Sequence, residues 1–390
     1  MNIKIISALL LSATFHCTYL VAAPASDQST LMPSNPQEMK PLPDGDSPAR
    51  HTAQWFKRGA NLGDYLEVQP SYFGHRITVG AGEFAQMKNQ GFDHVRVPIA
   101  WQDYTGPAPD FKLAPVIFER VDFVVTNALK NGLAVMINIH HFDALDKDPA
   151  GASDEFLKIW EQIASHYKTF PDQLVFELDN EPHQNATTVL MNPLYARTIA
   201  EIRRTNLHRT IVVEPGEWGS IGELKNLVLS PDSNVIVSVH CYDPFYFTHQ
   251  GATWTNGMTP VTGIIFPGPP SHPLMTDVDL SQRPALLDWI KKYNTLPTAT
   301  NPSSQIAFKS KLKFLRAWSD YYRYPIHIGE FGAYTRADEQ SRVNFYSAFR
   351  RAAEAEKLGW AIWDWSSGFR YWDKMNNRPM PGMRQALFGN

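Results

Sequence analysis

The chain has 390 residues, a net charge of -3, and 43% apolar against 19% charged residues, enough apolar mass for one large domain or two small ones. The near-neutral balance offers no basic surface for nucleic acid and no cationic face for an anionic membrane. Aromatic residues reach 12%, with 11 Trp, a content that suits a core and also a surface that stacks on planar, apolar-faced ligands.

The first element is a processing segment. In MNIKIISALLLSATF a single lysine, Lys4, precedes an apolar run from Ile5, and small residues follow in VAAPAS. That is the layout of a secretory signal, and the run is too short to cross a membrane. Residues 1–23 are expected to be removed, with cleavage after Ala23 or Ala25. The mature protein is then secreted or periplasmic, with no membrane anchor. Cys17 leaves with the signal, so only Cys241 remains and no internal disulfide is expected. Residues 24–50, rich in Pro, Ser, Asp and Gln, read as a flexible leader. One domain is expected over 51–390.

From Trp55 onward short apolar runs alternate with helical patterns. FKRGANLG, FDHVRVPIAW, LAVMINIHH, LVFELDNEP, RTIVVEPGE, NVIVSVHCYDP, YPIHIGEFGAY and LGWAIWDW read as strands. Between them, Ile117, Val121, Val124, Val125, Ala128 and Leu129 recur at helical spacing. SDEFLKIWEQIASHY begins with a cap-like Ser153 or Asp154 and carries acids in its first turn, and LYARTIAEIRRTN and DEQSRVNFYSAFRRAAEAEK read as further helices. Nearly continuous apolar strands suit a parallel sheet buried on both faces. Eight such runs with intervening helices predict a (β/α)8 TIM barrel. The competing doubly wound sheet usually carries a Gly-rich phosphate loop after its first strand, which GANLGDYLE does not fit.

Chemistry in a (β/α)8 barrel sits at the C-terminal ends of the strands. Those ends carry Arg96, His140, His141, Asn180, Glu181, Glu214, Glu217, His240, Tyr242, Glu330, Trp363 and Asp364. One polar residue at such a point is an ordinary loop residue; the collection is what signals a site. In FELDNEPH, Glu177, Asp179 and Glu181 alternate along what reads as one strand face.

The ordered set VRVP, HH, NEP, HCY, GEFG and W-D-W resembles glycoside hydrolase family 5, the cellulase family, and most of all its bacterial endoglucanase and endoglucanase/mannanase branch. The resemblance covers residues 55 to 385. It implies that Glu181 is the general acid/base and Glu330 the nucleophile. It further implies that Asn180 binds the sugar 2-hydroxyl, that Arg96 and Tyr242 bond the nucleophile, and that His140 and His240 complete the network. Trp363 would floor the subsite before the cleaved bond, and His141 would support the site. The implied enzyme is a retaining endo-β-1,4-glucanase acting on a β-linked polysaccharide; no cofactor or metal is expected, and the protein is expected to be a monomer. β-Mannan, xyloglucan and mixed-linkage glucan are alternative substrates.

The chemistry agrees with that implication. A glycosidic bond needs one acid for the leaving oxygen and one carboxylate for the anomeric carbon; carboxyls ~5–5.5 Å apart give retention. Glu330, beside Arg96 and Tyr242, is expected to stay ionised, and Glu181 to stay protonated until the leaving group takes its proton. Glu177 is expected to bond Arg96 or a histidine inside the barrel. Asp179 departs from the family pattern and has two open readings: a buried acid paired with a strand-three polar group, or a residue facing outward where the strand end twists. A zinc site from His140, His141, Glu181 and His240 lacks a regular ligand spacing. A serine hydrolase lacks G-x-S-x-G. A non-catalytic carbohydrate-binding barrel would not require both glutamates.

Aromatic side chains stack on the apolar faces of sugar rings. Cleft candidates beyond Trp363 are Trp218, Tyr246, Phe247, Trp254, Trp365 and Trp372, of which about half are expected in the core. The Pro-rich insertion 256–304, around the short helix PALLDWIKKYN, follows the sixth strand at the functional face.

Overall fold

The computed structural model describes residues 39–68 and 77–389. The expected signal at residues 1–23 lies outside the described residues. Eight parallel strands close into a barrel in sequence order: β1 (Arg58–Asn61), β2 (His94–Val97), β3 (Ala134–Asn138), β4 (Leu174–Glu177), β5 (Ile211–Val213), β6 (Val235–His240), β7 (Ile326–Phe331) and β8 (Gly359–Ile362), with β8 pairing back to β1. This is the predicted (β/α)8 barrel.

Side-chain alternation divides each strand between two environments. Val95, Val97, Val135, Ile137 and Phe176 join the core between barrel and helices. Ala134, Met136, Val175, Val212 and Ile236 form a separate apolar cluster, which Phe56 also joins. The next inward step on the strands brings Asn138, Glu177, Glu214, Ser238 and His240, all buried. The interior thus changes from apolar to polar towards the strands' C-terminal ends, the face on which such barrels carry their sites.

The helix Pro115–Lys130 buries Ile117, Val121, Val124, Val125 and Ala128 against the barrel, while Leu129 is only half-buried. The helix Ser153–Tyr167 begins without a side-chain cap; the helix Glu339–Ala355 is capped by Asp338, which accepts from the Ser341 N–H.

Two expectations are corrected. The leader does not run to residue 50: Met39 and Leu42 are buried, Leu42 donates its N–H to Tyr322 O, and Arg323 donates to Leu42 O at 2.6 Å. A short helix, Pro48–Thr52, follows, capped by Ser47. The chain is therefore packed from residue 39. The strand read through FELDNEP also ends early, at Glu177. Asp179 and Glu181 lie beyond it, and Glu181 has φ of 53°, so the three acids do not share one pleated face. The 256–304 insertion folds around the helix Pro284–Thr295, whose Leu286 and Ile290 pack on Val261. It is tied to the barrel side by Gln250, which exchanges two hydrogen bonds with the backbone of Ile264.

Candidate active site

Arg96, on β2, is fully buried at the centre of the polar layer. Its Nε donates to Glu177 Oε2 at 2.7 Å, and its Nη1 donates to Asn61 Oδ1 at 2.8 Å and Glu330 Oε1 at 2.7 Å. Its Nη2 donates to Asn180 Oδ1 at 2.6 Å. Burial disfavours the charge on Arg96, but Glu177, Glu330 and Glu214 outweigh it and hold the guanidinium above its usual range. One planar fork thus ties β1, β4 and β7 to β2. Glu177 also accepts from Asn138 Nδ2 at 2.8 Å. Its other oxygen is buried without a partner, and burial pushes its carboxyl up to about 7 against the pull of Arg96.

Glu330 reaches the interior through an irregularity in β7. Ser238 pairs with His327 and Val239 with Ile328, but His240 then pairs with Glu330 rather than Gly329. The extra residue is a β-bulge, which re-aims the side chain that follows it. Tyr242, past β6, donates its hydroxyl to Glu330 Oε2 at 2.7 Å. Burial raises the Glu330 carboxyl above the usual carboxylate range, with His240 and Arg96 working against that rise.

Glu181 and Glu330 meet at one histidine. His240 Nδ1 lies 2.7 Å from Glu181 Oε1 and 3.6 Å from Glu330 Oε2, and His240 Nε2 lies 2.8 Å from Glu214 Oε1. Burial opposes charge on the ring, but Glu214 and Glu330 hold its pKa well above the usual value. Glu181, His240 and Glu330 bring ligand-type atoms within 4.8 Å of one another, the single such group among the described residues. Those atoms are engaged with each other and with Tyr242.

His140 and His141 part company, as neighbours on an extended segment must. His140 is buried and stacks on Trp363, with ring centroids 5.5 Å apart and planes 7° apart. His141 is exposed. Burial, then His141 and Arg96, hold His140 well below the usual histidine range, so it is neutral. Asp179 is buried rather than outward-facing, and burial followed by Asp146 and Glu214 pushes its carboxyl well above the usual range; the strand-three partner expected for it is not among these neighbours.

The family profile described as "Cellulase (glycosyl hydrolase family 5)" matches residues 79–368. The chain belongs to this family. Endoglucanase H of Acetivibrio thermocellus is 29% identical over 307 residues, covering 78% of this chain and 29% of that protein. Endoglucanase 3 of Fibrobacter succinogenes is 25% identical over 352 residues, covering 86% of this chain and 53% of that protein. The chain therefore spans only part of the length of these curated relatives. Among solved structures, endoglucanase Cel5A of Thermotoga maritima superposes with a TM-score of 0.75 at 34% identity, over 88% of this chain and 100% of that chain.

Two of the expected cleft aromatics of this family 5 chain stand open to solvent. Trp218 is 46% exposed and stacks on His183 at 4.9 Å, and His183 Nδ1 lies 2.9 Å from the Glu181 carbonyl oxygen. Trp254 is 54% exposed, with its ring edge-on to Tyr334 at 4.8 Å. Phe247, Trp365 and Trp372 are corrected to core: all three are buried, and Trp365 stacks on Trp372 at 5.1 Å while donating to Glu83 Oε2. Tyr246 is half-buried against Trp289. The alternation that makes strand ends legible gives no sign of which aromatic a loop turns outward.

Sequence reasoning gave no role to Asn61, Asn138, Ser238 or Glu214. Their signal is weak: each is a polar residue at an inward position at or near a strand end, and its partners come from other strands.

Proposed function

We propose that this chain hydrolyses internal β-1,4 bonds of glucan by retaining double displacement, with Glu330 as nucleophile and Glu181 as acid/base. The observation that carries this reading is the separation of the two glutamates, which bring carboxylate oxygens within 4.8 Å of one another. Inverting pairs stand ~6.5–9.5 Å apart to admit a water, whereas retaining pairs stand ~5–5.5 Å apart.

In the first step a Glu330 oxygen attacks the anomeric carbon as the glycosidic bond breaks, and the Glu181 proton goes to the departing oxygen. In the second, water gives a proton to Glu181 and its oxygen displaces Glu330. Arg96 and Tyr242, each 2.7 Å from a Glu330 oxygen, hold the nucleophile's lone pairs in place. With its Oδ1 engaged by Arg96, Asn180 has its amide N–H free for the sugar 2-hydroxyl. Trp363, Trp218 and Trp254 offer ring faces for glucosyl units. Export through the N-terminal signal would deliver the enzyme to its polymer as a monomer, outside the cytoplasm.

Relatives named as endoglucanases support glucan as the substrate. β-Mannan is the second reading, because Cel5A of Thermotoga maritima, 33% identical, is described in complex with mannotriose. Reducing-sugar release from cellulosic glucan, mixed-linkage glucan, xyloglucan and mannan decides between them: glucan first, with a fall in viscosity ahead of sugar release, is expected. Binding without turnover on all four would leave only a carbohydrate-binding barrel. Glu181→Ala should slow substrates with poor leaving groups far more than activated aryl glycosides, which need no protonation. Equal losses on both would remove Glu181 as the acid.

A further inference from the structure

Glu214 stands one residue past β5 and is completely buried. A buried carboxylate is costly unless its lone pairs are engaged, and here they are. Its Oε2 accepts from the Glu181 N–H at 2.9 Å. Its Oε1 accepts from Ser238 Oγ at 2.9 Å and lies 2.8 Å from His240 Nε2, with Arg96 Nη2 at 3.7 Å. The same carboxylate therefore holds the main chain of Glu181 and the ring that meets the Glu181 side chain.

Each contact meets a physical need. The left-handed backbone of Glu181, φ 53°, is unfavourable for a residue with a Cβ. A hydrogen bond from its own N–H to a fixed, buried anion holds that peptide in place. His240 Nδ1 is hydrogen-bonded to Glu181 Oε1 at 2.7 Å, while Nε2 stands 2.8 Å from Glu214 Oε1, at ion-pair distance but off the line of an N–H bond. Carboxylate oxygens this close to both ring nitrogens favour the charged imidazolium over the neutral ring. The ring is faced by Glu181 beyond β4, Glu214 beyond β5, and Glu330 on β7. Farther off, Glu177 on β4 is a further carboxyl, His140 beyond β3 and His327 on β7 are histidine neighbours, and Arg96 on β2 reaches the same Glu214 oxygen at 3.7 Å. Three carboxyl groups thus lie within 3.6 Å of the ring nitrogens.

We propose that Glu214 is the positioning residue of the acid/base centre: it anchors the Glu181 backbone and keeps a proton on His240, so that Glu181 works beside a fixed positive charge. The inference rests on Glu181 being the acid/base. Burial opposes ionisation of Glu214 itself, but His240, Arg96 and the Glu181 N–H bring its pKa down to about 2. The anchor is thus charged across the working pH range. A nearby Cβ at Gly219 would come 3.2 Å from Glu214 Oε2, so the loop after β5 closes over this carboxylate without room to spare.

The test uses the full-length mature enzyme. Glu214→Gln keeps an oxygen for the Glu181 N–H but removes the charge that holds the His240 proton. Loss of that positive charge should move both limbs of the kcat/KM pH profile to higher pH by about one unit. It should also lower kcat at least tenfold on a cellooligosaccharide, and much less on an activated aryl cellobioside. Glu214→Asp keeps the charge but shortens the reach, so its pH profile should stay in place while kcat falls. A wild-type pH profile in Glu214→Gln, with equal losses on both substrates, would show a packing role only and overturn the proposal.

Nitrogen-15 histidine NMR of the wild-type enzyme, assigned with His240→Asn, reads the same point if Glu214→Gln does not fold. An imidazolium at pH 7 is expected, and a neutral ring there overturns the proposal. Glu181→Ala separates this inference from its premise. A flat leaving-group response in Glu181→Ala removes both, whereas a normal response there with an unmoved profile in Glu214→Gln removes this one alone.

Discussion

Trp363 is set against the buried polar network through one ring face. His140 stacks flat against it, and a Cβ at Gly63 would come 3.1 Å from its Cζ2. Its carbonyl oxygen accepts from the Tyr346 hydroxyl at 3.3 Å. The side chain is only half-buried, so a face remains for a sugar. If that contact strengthens as the sugar flattens towards the transition state, it raises the chemical step rather than binding alone. Stacking contributes about 0.5–1.5 kcal/mol beyond burial, and lost positioning adds to it. Trp363→Ala should therefore cut kcat at least about tenfold, the factor that ~1.4 kcal/mol represents, with a small change in Tm. A lowered Tm with normal turnover per folded molecule would make Trp363 a core residue. Residues of this kind were legible because a polar or aromatic side chain at a strand end departs from the apolar run before it. Glu214 has the same signal, but its role depends on Ser238, His240 and the Glu181 backbone, which spacing along the chain does not bring together.

Elements hold these residues in register, and two of their devices carry different weights. The bulge in β7 turns Glu330 inward, and no residue type announced it beyond the glycine before Glu330. The other device is Arg209, just before β5. Its Nη1 donates to the carbonyls of Pro171 and Leu174 at 2.6 and 2.7 Å. Its Nη2 donates to those of Tyr167 and Phe170 at 3.0 and 2.8 Å. The guanidinium also lies over the Phe176 ring, 5.1 Å from its centroid. One side chain thus closes the C-terminus of the helix Ser153–Tyr167 onto the start of β4. Burial lowers its pKa to about 10, still well above neutrality, so it is charged at pH 7. Arg209→Met leaves those carbonyls without a charged donor and should cost about 3 kcal/mol in denaturant unfolding. Arg209 sits at the N-terminal side of the strands, away from the carboxylates, so kcat per folded molecule should stay normal. Lost turnover with unchanged unfolding would contradict this division. The helix at 115–130 was legible from its apolar spacing. The end of β4 was not, because FELDNEP keeps alternating after the hydrogen-bonded ladder has stopped at Glu177.

At the scale of the whole molecule, a closed barrel brings β2, β4, β5, β6 and β7 to one mouth, and residues 234 positions apart, Arg96 and Glu330, become hydrogen-bonded partners. Barrel closure was readable from eight apolar runs alternating with helices. Packing of residues 39–50 was not, since a Pro- and Ser-rich composition hides the two apolar side chains, Met39 and Leu42, that dock. Among the described residues no helix is long and apolar enough to cross a membrane. Trapping a covalent glycosyl ester on Glu330 tests its proposed role as nucleophile most directly. The mature enzyme would be incubated with a 2-deoxy-2-fluoro-β-cellobiosyl fluoride, digested, and mapped by mass spectrometry. One glycosyl group on the peptide containing Glu330, absent from Glu330→Gln, is the predicted result; a label on another carboxylate, or turnover to the inverted anomer with no adduct, would contradict it.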